Sequence, residues 1–253
     1  MIRAARAGLA HLQLALMLLT RLPAGSLPQP APSLAAARWA FPFVGLIVGL
    51  IAWAVQHLAL GLGLAPMVAS FLAVAAMAGV TGALHFDGLA DFADGMGGGR
   101  DTAHCLEIMR DSRIGTYGVL ALVLVASLYG TSLASFETGA PLAVFLFAAV
   151  GSRLAMIIML DHMPAARHDG MGQLARGSAF MAWLPGAVCL GGLGVWIGLA
   201  AGLAALAGLI GAGFVAQIAR ARIGGQTGDV LGAGQAISDV MVLLALSAAL
   251  TRL

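Results

Sequence analysis

The stretch "WAFPFVGLIVGLIAWAVQHLAL", Trp39 to Leu60, runs 22 residues without one Asp, Glu, Lys or Arg. As a helix rising about 1.5 Å per residue, it is long enough to cross a bilayer core of about 30 Å. Comparable runs follow it. They place seven spans at roughly 39–60, 66–84, 114–135, 141–160, 181–199, 201–219 and 237–251. The last is short; a start nearer Val230 would place Asp239 inside it. Over all 253 residues the chain is 60% hydrophobic and only 9% charged, too little charge to clothe a soluble domain. A membrane barrel would instead alternate in short segments. The expected fold is all-α: a polytopic membrane helix bundle of about seven transmembrane helices plus an N-terminal interfacial helix, in one domain spanning 1–253.

Glycine is abundant and much of it lies inside apolar runs. Small residues let membrane helices approach closely, so the pairs Gly45/Gly49 and Gly194/Gly198 read as packing seams. The two cysteines, Cys105 and Cys189, lie in unlike contexts and predict neither a disulfide nor a paired-cysteine metal site.

The N-terminal segment 1–38 admits two readings. Arg3 and Arg6 before an apolar run, then small residues at Ala24–Ser26, resemble a signal peptide. However, Leu9, Leu12, Leu16 and Leu19 share one helical face while Arg6, Gln13 and Thr20 share another. That amphipathic pattern favours a helix lying along the membrane surface.

All 13 basic side chains are arginine, and eleven of them fall in the segments 1–38, 85–113, 161–180 and 220–236. The positive-inside rule puts these four on the cytoplasmic side, with Arg252 the exception and Arg153 within a span. Nine carboxylates fall on the same side: Asp87, Asp91, Asp94, Asp101, Glu107, Asp111, Asp161, Asp169 and Asp229. Chemistry is therefore expected at one face.

The densest polar stretch is "HFDGLADFADGMGGGRD", His85 to Asp101, in a cytoplasmic acidic and basic loop, 85–113. Asp87, Asp91 and Asp94 stand at i, i+4 and i+7. If the helix begun near Pro66 continues past Leu84, all three point the same way. Three like charges near the hydrocarbon edge repel, and a divalent cation offsets the cost; oxygen-only ligands suit Mg²⁺ or Mn²⁺. The plainer alternative is a solvated helix end paired with Arg100, Arg110 and Arg113. His85, one turn or less away, is a base, a weak ligand or a packed side chain. In "LEIMRDSRIGTYG", Arg110 and Arg113 offer planar forks for phosphate oxygens, or anchor the helix at the membrane. In the glycine-rich loop 220–236, "RIGGQTGDVLGAGQ" can bring backbone N–H groups near an anion, and Asp229 there could ligate metal; taken by itself the segment reads as a plain flexible loop. Carboxylates for a cation, arginines for phosphate and glycines for close approach together suggest phosphoryl transfer on a diphosphate.

These residues carry a resemblance. "GALHFDGLADFADGMGGGRD", "LEIMRDSRIGTYGVLALVL" and "RIGGQTGDVLGA", with "LTRLP" near the N-terminus, resemble the cobalamin synthase family, the adenosylcobinamide-GDP ribazoletransferases of the bacterial inner membrane. The likeness runs from Leu19 to about Asp239. It implies a Mg²⁺-dependent transferase: a hydroxyl of α-ribazole or its 5′-phosphate attacks the phosphate attached to adenosylcobinamide, and GMP leaves. Two departures stand out: Arg110 occupies a position where many relatives have lysine, and "GQAISD" keeps only Asp239 of the acids expected near the C-terminus.

The expected roles follow from residues and resemblance together. Asp87, Asp91 and Asp94 bind Mg²⁺, with Asp229 helping. Arg110 and Arg113 hold the diphosphate or neutralise the leaving GMP. Asp111 orients an arginine or joins the metal shell, and Arg100, Arg222 and Gly225 contact substrate. The base is His85 or one of the trio, Asp91 among them. Partners are small-molecule substrates and the lipid bilayer, with no nucleic acid. Two rivals carry the same chemistry in part. A CDP-alcohol phosphotransferase would place an arginine soon after the first Asp-Gly pair, whereas Asp87-Gly88 is followed by Asp91. A cation transporter would set its acids near the midplane rather than at helix ends.

Overall fold

A computed structural model describes residues 2–167, 170–176 and 181–251. Asp169 and Arg252, both placed by side in the sequence reading, lie outside the described residues.

The chain is all-helical among those residues. α1 (Ile2–Leu19) is followed by a short α2 (Leu34–Ala37), a 3-10 turn (Arg38–Ala40) and α3 (Phe41–Gly61). Then come α4 (Pro66–Thr81), α5 (Leu84–Gly98), α6 (Thr102–Ile108), α7 (Thr116–Ala134) and α8 (Leu142–His162). The one-turn α9 (Met171–Leu174), α10 (Leu184–Ile197), α11 (Ala200–Ile223) and α12 (Gly228–Leu250) complete it. α8 and α12 form the centre: α12 packs on α11, α8, α5 and α7, and α8 on α3, α10 and α11.

Five helical segments are long and apolar enough to cross a membrane: Leu34–Gly61, Thr116–Ala134, Leu142–His162, Ala200–Ile223 and Gly228–Leu250. Counting the bent pair α4–α5 as one span makes six. The expected seven are corrected in two places. The span at 181–199 becomes α10, 14 residues, which reaches only about 21 Å. The helix from Pro66 does not continue past Leu84. It stops at Thr81, and α5 leaves at 92° to it.

The break has a local cause. Gly82 takes φ +62° and closes α4 as a left-handed cap, its N–H bonding back to Gly79. Ala83 follows at φ +58°, a conformation that an L side chain enters only at a cost of about 1 kcal/mol or more. Its N–H donates to the Ala78 carbonyl at 2.7 Å, and its own carbonyl accepts from Asp87 at 2.8 Å, so the turn is bonded on both sides. The segment 85–113, expected as a loop, is therefore mostly α5 and α6. In the segment 220–236 only Gly224–Thr227 lies outside helix, because α12 begins at Gly228 and not near 237. Asp239 accordingly lies inside α12, and it is buried.

The Gly45/Gly49 seam is present. A Cβ on Gly45 would stand 2.5 Å from the Ala149 carbonyl oxygen, and one on Gly49 would stand 2.9 Å from that of Phe145. α3 and α8 thus touch backbone to backbone. The Gly194/Gly198 pair is not a seam: Gly198, at φ +77°, caps α10 and a Cβ there would meet nothing.

Candidate functional site

Gly88 on α5 crosses α12 closely, where a Cβ would stand 3.0 Å from the Asp229 carbonyl oxygen and 3.3 Å from the Gly232 Cα. This crossing brings the acidic face of α5 to the first turn of α12. Asp87 and Asp229 line one cavity, and the charge on Asp91 is repelled by Asp87, Asp229 and Asp94 and attracted by Arg167. Asp87 is exposed, and Asp91 and Asp229 are half-buried. Among the described residues neither Asp87 nor Asp91 makes a hydrogen bond or ion pair. Nor do any three His, Cys, Asp or Glu side chains there converge as a ready metal cage.

Asp229 is placed by a cap and a clip. Thr227 caps α12, its side chain accepting from the Val230 N–H at 3.3 Å and donating to Asp229 Oδ2 at 3.2 Å. The carboxylate in the first turn also gains from the helix dipole. Beside it, Gln226 exchanges backbone bonds with Pro164 and Ala166, at 2.8 and 2.9 Å. That clip brings Arg167 to 3.9 Å from Asp229 Oδ2, while the same guanidinium donates to the Leu106 carbonyl at 2.9 Å. Arg167 was absent from the expected site. Its only sequence signal was its place as one of two arginines, with Arg176, in the segment 161–180 on the side that holds the acids.

Asp94 does something different. Its carboxylate accepts the N–H of Gly115 at 2.7 Å and of Gly118 at 2.8 Å. These are among the unpaired donors at the start of α7, whose own N-cap, Gly115, has no side chain to serve them. Asp94 is thus a cap supplied by another helix, and both its oxygens are engaged.

The remaining expected residues divide. Asp111 and Arg113 clasp each other in a 2.6 Å ion pair, lining a second, open hollow with Asp94, Gly115 and Thr116. The Arg113 hydrogen bonds hold the Asp111 carboxyl down at about 2, and Asp111 in turn raises Arg113. Arg100, between α5 and α6, and Arg110, between α6 and α7, are exposed outside the cavity. Arg222 reaches the carbonyls of Met96 and Gly99, stapling the end of α11 to the end of α5. Gly225 is pressed on the Pro164 carbonyl, which leaves no room for a Cβ. The structure brings His85, Asp87 and Asp229 to one cavity, with Asp91 one turn along α5 from Asp87; it sets Asp94, Asp111 and Arg113 apart, and spends Arg222 and Gly225 on packing.

The cavity beside Asp87 and Asp229 has a volume of about 260 Å³. One wall is apolar: Leu18 and Leu19 of α1, Phe41 of α3, and Met156, Ile157 and Leu160 of α8. The other carries Asp87, Arg167, Gln226, Thr227 and Asp229. His85 is buried at its edge with Nε2 unpartnered, and it also borders a small inner hollow of about 20 Å³. Arg153, Asp239 and Tyr129 line that inner hollow. Within it, Tyr129 donates to Asp239 Oδ2 at 3.4 Å, and Gln235 bridges Asp239 and Ser152 at 3.3 and 2.8 Å. Charged groups this deep in a membrane helix bundle are costly and tend to mark functional regions. Sequence reading noted Arg153 and Asp239 without joining them, since only the packing of α8 on α12 does so.

Residues 11–247 match the family described as cobalamin-5-phosphate synthase. An adenosylcobinamide-GDP ribazoletransferase of Bradyrhizobium diazoefficiens is 42% identical over 250 residues, 95% of this chain and 94% of its own. The protein of the same name from Mesorhizobium japonicum is 41% identical, over 94% and 93% of the two chains. That of Rhizobium etli is 42% identical, over 83% and 85%. No solved structure matches the chain.

Proposed function

The chain belongs to the cobalamin-5-phosphate synthase family, and from that premise we propose that it joins adenosylcobinamide-GDP to α-ribazole or its 5′-phosphate with release of GMP. The reaction takes place at the cytoplasmic face of the bacterial inner membrane and depends on Mg²⁺. The observation that carries this reading is that Asp87 and Asp229 line one mostly apolar cavity, with Arg167 3.9 Å from Asp229.

The donor set suits a hard divalent cation. Two of the three carboxylates are unpartnered among the described residues, and the third, Asp229, accepts from Thr227 at 3.2 Å and lies 3.9 Å from Arg167. The lack of a three-ligand cage fits Mg²⁺, which usually takes one or two carboxylates and completes its shell with water and substrate phosphate. Asp87 and Asp229, on the cavity wall, would hold it, with Asp91 one turn along α5; bound there, Mg²⁺ would neutralise the diphosphate and polarise the phosphorus under attack.

This chain's own residues supply the rest. Arg167, fixed by the Leu106 carbonyl, presents a fork to the phosphate oxygens. The apolar wall excludes water from the attacking hydroxyl, which forms the new P–O bond as the bond to GMP breaks. The unpartnered carboxylate of Asp91 is assigned to take the hydroxyl proton. Asp94, with both oxygens on α7, is assigned the cap and not the metal. Arg113 and Asp111 frame the outer hollow, where the departing nucleotide has room.

The test is direct. Membranes carrying the chain are incubated with adenosylcobinamide-GDP, α-ribazole 5′-phosphate and Mg²⁺, and GMP is measured. Stoichiometric GMP and corrinoid product, abolished by EDTA and restored by Mg²⁺, is the expected result. No GMP with Mg²⁺ or Mn²⁺ overturns the reading.

A further inference from the structure

We propose that the 260 Å³ cavity seats the base of the acceptor nucleoside, a fused bicyclic aromatic, with its ribose turned toward Asp87 and Asp229. This rests on the functional reading above and says which part of which substrate the cavity takes.

Three chemistries compete for the space: the corrin with its adenosyl ligand, the guanine of the donor and the base of the acceptor. Volume removes the first, since about 260 Å³ lies at the lower end of small-ligand pockets and a corrinoid is several times larger. Polarity removes the second. Guanine presents donors and acceptors along its whole edge; with the polar wall of Asp87, Arg167 and Asp229 taken up by ribose and phosphate, the base would meet Leu19, Phe41, Ile157 and Leu160, and each unpaired group would cost affinity. A dimethylated benzimidazole is flat, apolar on both faces and along its methylated edge, and keeps a single ring acceptor once it carries ribose.

The polar atoms match that inventory. His85 Nε2 is buried without a hydrogen-bond partner and, as the N–H tautomer, donates to the ring nitrogen. Gln226, 1% exposed, donates through Nε2 to the Gly172 carbonyl at 3.1 Å and leaves Oε1 buried and unpartnered, an acceptor for a ribose hydroxyl. The wall that meets the methyl groups includes Leu18 and Leu19, so α1 is a part of the nucleoside site and not solely an anchor.

The experiment measures kcat/KM for two acceptors, α-ribazole and the α-riboside of unsubstituted benzimidazole, in full-length Leu160→Phe and Leu18→Phe. A ring added where the methyl groups sit should lower kcat/KM for α-ribazole by about tenfold or more, the discrimination that one or two methyl-sized groups carry in an apolar pocket. The unsubstituted riboside should lose less than threefold, and KM for adenosylcobinamide-GDP should not move. Selectivity that shifts in either variant supports the proposal. Equal losses for both acceptors, or a loss carried by KM for the corrinoid donor, overturn it. If one variant fails to accumulate, the other decides. Absence of GMP from the wild-type chain would instead sink the functional reading itself, so the two failures are distinct.

Discussion

Asp94 on α5 accepts the N–H of Gly118 on α7 at 2.8 Å, and with the second bond, from Gly115, it completes the start of a helix 21 residues away. An acidic residue that sequence spacing groups with two others is thereby drawn into structure. Asp94→Ala should lower stability by about 1–2 kcal/mol, the usual worth of a lost N-cap. Asp94→Asn, which keeps one acceptor, should lose less. Thermal unfolding in detergent checks both, and the Mg²⁺ concentration for half-maximal activity should be unchanged in the folded Asn variant. A large rise in that concentration would return Asp94 to the metal.

Asp91 should behave in the opposite way. It makes no hydrogen bond or ion pair among the described residues and is crowded by Asp87, Asp229 and Asp94, so removing its charge relieves repulsion. Asp91→Asn is expected to keep or raise the melting temperature while cutting kcat by about 10²-fold or more, as loss of one transition-state charge partner does. Near-normal turnover in this variant would take Asp91 out of the chemistry.

How much of this was legible beforehand follows from the range of each interaction. The helical class and the spans at 39–60, 114–135 and 141–160 rest on local apolar runs, which a sequence displays directly. The stop at Thr81 is harder to see, because Gly82-Ala83 sits in an apolar context and the break is braced from far along the chain, where the Arg21 N–H donates to the Val80 carbonyl at 2.7 Å. The start of α12 stayed open between Val230 and 237 because "GDVLGAGQ" has the composition of a loop; Gly232 in fact serves the close crossing with α5. Asp87, Asp91 and Asp229 could be grouped from side and charge alone. Arg167 and Gln226 could not, since one backbone pairing between 164–166 and 226 puts them there.

Arg222, at the end of α11, illustrates a basic side chain whose charge is spent on carbonyl oxygens at the end of α5. Arg222→Ala should reduce stability by about 1 kcal/mol, a hydrogen-bond value discounted for the side chain's exposure. KM for both substrates should stay within twofold. A selective rise in KM for either substrate would mean that the arginine also meets substrate.

The Asp111–Arg113 clasp carries a pH signature. The Asp111 carboxyl is depressed to about 2 in the folded chain from an ordinary 3.8. A depressed acid contributes order above its unfolded value and loses it as pH falls through the folded one, so the window runs from about 4 down to 2. Protease cleavage within 109–115 should therefore be flat from pH 7 to pH 5, and Asp111→Asn should raise it at pH 7. Cleavage that climbs already between pH 6 and 5 would show that another group orders this turn.

The α3–α8 seam offers the sharpest packing test. At Gly45 a single methyl group would sit 2.5 Å from the Ala149 carbonyl oxygen and 2.8 Å from its carbon, atoms that cannot rotate away. The helices must separate, and α8 also carries Met156, Ile157 and Leu160 on the cavity wall. Gly45→Ala should cost about 1–3 kcal/mol, the range for overpacking a tight interior, with a matching fall in melting temperature. Gly191→Ala, where a Cβ meets nothing, is the control and should be neutral. Should both variants melt alike, α3 and α8 would not be in backbone contact, and the wall they form would need another geometry.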